Sequence, residues 1–175
     1  MMPPTPEPLP YLEGYSPAVQ ARVRELLVQE QLGPYLASRY AEAHAVRNDK
    51  ALFQAALELK DRFLKTAPPL SKVLYDTRLQ LLSHALGTLT SVSRVQGSRL
   101  KASREIRVAS VFRDAPAAFL KMILVHELAH LKEREHTKAF YQLCAHMEPD
   151  YHQLEFDLRL YLTHREARAT TAKEG

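Results

Sequence analysis

A single cysteine, Cys144, stands in a chain of 175 residues, so no disulfide can form within it and a reducing compartment is expected. Long apolar runs are also missing. The best candidate for a membrane span is interrupted by Lys121 and Glu127, so no membrane partner is expected. The first residues lack a basic stretch followed by an apolar one, so no secretion signal is read there, and cytoplasm is the expected location. Acidic residues are scarce in one place. Residues 94–113 hold Arg94, Arg99, Lys101, Arg104, Arg107 and Arg113 against the lone acid Glu105. A solvated sheet face accounts for that excess more simply than nucleic-acid contact, which stays open as a partner through the 94–113 segment. The formal charge of +4 is too small to decide the matter.

The composition, 46% hydrophobic and 25% charged, is that of a globular domain with a substantial core. Residues 1–15 carry Pro3, Pro4, Pro6, Pro8 and Pro10 and read as an extended, solvated tail. Residues 16–70 read as a helical region. Ser16-Pro17 opens a helix that runs to a stop at Gly33-Pro34, a second covers about residues 35–46, and Asn48-Asp49 caps a third that ends before Pro68-Pro69. His44 among polar neighbours reads as a surface histidine. Leu74, Leu81, Leu82 and Ala85 favour a helix over 70–86, with His84 structural or exposed. Residues 88–95 and 104–111 alternate about a Gln96-Gly97-Ser98 turn and predict a small antiparallel sheet.

Asp114-Ala115-Pro116 starts the next helix, with Asp114 as its cap. From Phe119 to Leu131 that helix is apolar nearly all round, which places it in the middle of its domain. His126, Glu127 and His130 are the only ionisable groups in its buried part, and burying them without partners is costly. Two histidines four apart share one helix face, so both imidazoles can reach one ion, with Glu127 placed to act on a water. His136, beyond the polar break at residues 132–135, is the favoured third metal ligand, ahead of Glu148, Glu155 and Cys144. Three neutral imidazoles and a water make the open tetrahedral site of catalytic Zn2+. Such an ion with Glu127 as general acid/base makes amide hydrolysis the natural reaction, with a peptide or protein as substrate. Tyr141, Tyr151, His146 and His152 are candidates for stabilising the oxyanion. A helix over residues 137–147, a last one to about His164, and a frayed polar tail at 165–175 complete the chain.

The run His126-Glu127-Leu128-Ala129-His130-Leu131, then Glu135-His136-Thr137-Lys138-Ala139-Phe140-Tyr141, then Glu148-Pro149-Asp150-Tyr151 resembles the YgjP-like metal-dependent hydrolases. These are related to the SprT-like and minimal gluzincin metallopeptidases. The resemblance implies an α+β, mostly helical, zincin-like domain over residues 71–164, its small antiparallel sheet packed against the helix of the His-Glu-x-x-His motif. It also implies His126, His130 and His136 as zinc ligands, Glu127 as the catalytic residue, and a strand edge at residues 107–110 that pairs with substrate backbone. A DNA-associated protease and a non-catalytic, metal-stabilised binding module are the competing readings.

Overall fold

The computed structural model describes residues 2–79, 87–96 and 99–175, and their side chains except at 87–96 and 99–103. The chain divides into two compact units, Met1–Ala41 with Glu155–Gly175, and Glu42–Leu154. The boundary expected at residue 70 is replaced by one near residue 41, because the third helix packs on the sheet and belongs with it.

In the first unit, α1 (Pro17–Val28) begins as expected, with the Val19 N–H donating to Ser16 Oγ at 3.3 Å. It stops earlier than Gly33-Pro34. Glu30 takes a left-handed φ of 54° in the turn, and Gly33 and Pro34 lie in the first turn of α2 (Leu32–Arg39). Proline is tolerated there because a first-turn N–H has no intrahelical acceptor. Only part of the proline-rich segment behaves as a solvated tail. Leu9 and Leu12 join Val23, Leu32, Leu36 and Leu160 in a core cluster, and Arg24 and Arg159 donate to the carbonyls of Glu7 and Tyr11. Proline restricts the backbone without preventing the side chains between prolines from packing. The C-terminal residues are helical too. α6 (Tyr151–Glu174) starts in the other unit and continues, exposed, far past His164, since the Glu, Ala, Arg and Lys residues after it are good helix formers.

In the second unit, α3 (Asp49–Phe63) is capped by Asn48, whose Oδ1 accepts the Ala51 N–H at 2.8 Å. Leu52 and Ala56 face inward without exposure. The helix expected over 70–86 is a strand where it is described, β1 (Leu70–Asp76), with Val73 and Tyr75 buried. The Val73-Leu74-Tyr75 alternation outweighs the helical spacing of leucines, and Leu81, Leu82, His84 and Ala85 lie outside the described residues. β2 (Gly87–Gln96) and β3 (Arg99–Ala109) form the expected antiparallel hairpin. The sheet as a whole is not antiparallel. Its order is β1-β3-β2, and β1 pairs parallel to β3 from Leu70↔Arg104 to Asp76↔Ala109. β3 is therefore the central strand, and its stretch at 107–109 is no free edge for a substrate. Alternation along a strand fixes which side chains face the core but says nothing of the direction of its neighbour.

α4 (Ala117–Ala129) packs on β2, β3 and α3 and is buried along most of its length. Asp114 does not cap it. The cap is Pro116, with no side-chain bond, and the Ala117 N–H reaches the Glu42 carbonyl at 2.9 Å, while Asp114 pairs with Arg47 at 2.9 Å. His44 is half-buried rather than a surface residue. Val46 N–H donates to its Nδ1, so its Nε2–H donates to the Phe112 carbonyl at 2.8 Å. α5 (Lys138–Met147) starts at the capping Thr137. Among the described residues no helix is long and apolar enough to cross a membrane.

Candidate metal centre

α4 ends at Ala129, and His130 occupies its C-cap. The chain then turns through the Leu131, Lys132 and Glu133 N–H groups, which bond to the carbonyls of Leu128 and Ala129. That turn returns His136 to the end of α4, one residue before the Thr137 cap of α5. His126, His130 and His136 meet there, each offering one ring nitrogen, all within 4.8 Å of one another. His126 and His130 are half-buried and His136 is exposed, so the cluster opens to solvent on the His136 side.

Phe140, fully buried, supports all of this. Its ring centroid lies 5.0 Å from His126, 4.5 Å from His130 and 5.0 Å from His136. The sequence marks Phe140 only as an inward residue of α5; that it is a shared floor for three imidazoles follows from the reversal at residues 131–136. Tyr151, considered above as an oxyanion donor, instead places its hydroxyl 2.7 Å from His126 Nδ1. Tyr141 lies beside His136, ring centroids 6.3 Å apart, and exposed His152 lies 5.6 Å from Tyr141. His146 packs edge-on against Phe63. The alternative ligands are engaged elsewhere: Glu148 pairs with Lys121 at 2.5 Å, Glu155 with Arg159 at 3.7 Å, and Cys144 is fully buried.

The donor set suits a cation. His130 Nδ1 lies 2.9 Å from the Glu133 carbonyl, which can only accept, so Nδ1 carries the hydrogen and Nε2 presents its lone pair. His126 Nε2 and His136 Nε2 stand 3.3 Å apart. Two lone pairs at that separation repel unless one nitrogen is protonated or both face a shared cation. With metal–nitrogen bonds of about 2.0–2.1 Å, tetrahedral ligands lie roughly 3.3–3.4 Å apart, in keeping with this pair. Burial also holds the His130 imidazole below its ordinary pKa, which favours the neutral, ligating form. Glu127, next to His126, is 3% exposed, and burial pushes its carboxyl up to about 8. No hydrogen bond or ion pair to it is found among the described residues. Glu127 is thus a buried acid that directly follows His126 on α4, and a buried acid of this kind near convergent imidazoles is a candidate for proton transfer.

A family model described as "YgjP-like, metallopeptidase domain" matches residues 80–161. A protein of Escherichia coli (strain K12) described as "UTP pyrophosphatase" is 59% identical over 155 residues, which cover 89% of this chain and 93% of that relative. No solved structure matches the chain. Identity at that level over nearly both whole lengths, together with the family match across the histidine cluster, settles the relationship: the chain belongs to the YgjP-like family and is a metal-dependent hydrolase.

Proposed function

We propose that this hydrolase splits the phosphoanhydride chain of a nucleoside triphosphate, UTP in the first instance, to the monophosphate and pyrophosphate. The observation that carries the reading is a partly exposed cluster of imidazoles at the end of a helix that also carries a buried carboxyl, in a chain 59% identical to a relative described as a UTP pyrophosphatase. His126, His130 and His136 hold the metal, and zinc is the ion that best suits three nitrogen donors with an open position. A divalent ion in that site supplies a Lewis acid, which acidifies water and offsets the negative charge of phosphate oxygens.

The remaining work falls to the chain's own groups. Glu127 in its ionised form accepts the proton of the attacking water, and the burial that raises its pKa makes that carboxylate a stronger base. A new phosphorus–oxygen bond forms to that water, the α–β phosphoanhydride bond breaks, and the proton passes through Glu127 to the products. The cationic excess over residues 94–113 complements a triphosphate at least as well as it does nucleic acid.

Amide hydrolysis in a zincin-like site is the second reading. It is supported by the same His-Glu-x-x-His helix and by the metallopeptidase description of the family model. Purified protein with zinc, offered UTP and an unstructured protein such as casein in parallel, separates the two. Pyrophosphate and UMP in equal amounts, lost in Glu127→Gln, is the expected result. Cleavage of casein with UTP left intact overturns the proposal in favour of the peptidase.

A further inference from the structure

The three imidazoles are not held in the same way. His130 has its tautomer imposed by a backbone carbonyl, as described above. His126 has its Nδ1 against a side chain, the hydroxyl of Tyr151 at 2.7 Å. A phenol can donate or accept. Where it donates, the hydrogen of His126 sits on Nε2, and that nitrogen cannot ligate. Where it accepts, Nδ1 carries the hydrogen and Nε2 is free to face an ion. Tyr151 is fully buried, so solvent does not replace it as a partner.

Its position is also firmly set. Tyr151 begins α6, its N–H bonded to the Glu148 carbonyl at 3.0 Å, and its ring lies nearly parallel to that of His126, at 19° with centroids 6.3 Å apart. The turn before it is tied back to the histidine helix. Glu148 Oε1 accepts the Asp150 N–H at 3.4 Å, while Oε2 pairs with Lys121 of α4 at 2.5 Å. The helix that carries His126 thus anchors the turn that carries its partner.

We infer that Tyr151 is a positioning residue, whose hydroxyl accepts from His126 Nδ1 and so keeps Nε2 available to the metal. The inference rests on the reading of the three histidines as ligands. Partners of this kind orient a ligand ring and raise its basicity, and removing one costs about 10–100-fold in metal affinity.

The test compares the metal-stripped wild type, Tyr151→Phe and His126→Ala by zinc titration against a competing chelator. It adds nitrogen NMR of the His126 ring in the zinc-free wild type at mildly alkaline pH. The expected results are a zinc affinity about 10–100-fold weaker in Tyr151→Phe and a hydrogen on Nδ1 in the wild type. Unchanged affinity in Tyr151→Phe, with His126→Ala impaired, overturns the role of Tyr151 and leaves the ligand reading intact. Full affinity in His126→Ala overturns the ligand reading, and this inference with it. Should Tyr151→Phe fail to fold, the wild-type spectrum decides alone: a hydrogen on Nε2 overturns the inference.

Discussion

Glu127 and Asp157 both carry carboxyl groups withdrawn from water, and their surroundings are opposite. Asp157, fully buried, accepts from Tyr35 Oη at 3.2 Å and from the Tyr40 hydroxyl, with Arg39 Nε at 3.9 Å. Arg39 in turn lies over both tyrosine rings. Burial, then the bond to Asp157, raises the Tyr40 hydroxyl above its ordinary pKa and keeps it a donor. These partners are side chains of the same unit. On the helix of Glu127, His126 and His130 each bring one nitrogen to within 4.8 Å of His136, and the described residues offer the Glu127 carboxyl no donor. A buried carboxylate with donors around it contributes to a fixed structure, whereas a buried carboxyl without them is pushed toward its neutral form.

Three measurements sharpen or break that contrast. The largest effect is expected for Glu127→Gln, which should slow hydrolysis about 10²–10⁴-fold while the bound metal is retained. Turnover and metal content on one preparation check this, and undiminished turnover would make Glu127 a structural acid like Asp157. Next, Asp157→Ala strands two phenol hydroxyls and should cost on the order of 3 kcal/mol in urea unfolding. Zinc affinity should be unchanged, and a loss of affinity with little loss of stability would erase the distinction.

The smallest effect concerns Asp76, which is 7% exposed and paired like Asp157, though within the sheet. The Arg78 N–H first, then the Arg107 and Arg78 guanidinium groups, lower its pKa to about 2. The folded value lies below the unfolded one of about 3.9, so its stabilising contribution is complete above that value. It is lost as pH falls through about 2. Asp76→Asn should therefore flatten the acid limb of a stability-against-pH series, and an unchanged limb would show that the pairing adds nothing.

Much of the metal centre could be read from residue order, because its parts are local. His126 and His130 share a face by helical spacing alone, and His136 follows a polar break that has to be a turn. The basis for choosing His136 was equally short-range, and Glu148, its main competitor, pairs with Lys121 instead. Phe140 and Tyr151 could be read as inward or aromatic, but not as the floor and the hydrogen-bond partner of the imidazoles. Those roles depend on how α5 and the start of α6 meet α4. The sheet shows the same limit. Its hairpin follows from alternation about a turn, but the parallel entry of β1 beside β3, which closes the expected edge, does not. Nor do the burial of Leu9 and Leu12 and the pairing of Arg107 with Asp76 and Glu105.

The sequence by itself determined the family, the helices with good caps, and a site whose residues lie within ten positions of one another. Periodicity and capping act over a few residues and are written locally. Only the tertiary structure decided which strand lies in the centre, which acid is paired, and which hydroxyl meets His126. Each of those depends on contacts between residues far apart in the chain, where burial and hydrogen-bond geometry choose among partners that composition leaves equivalent.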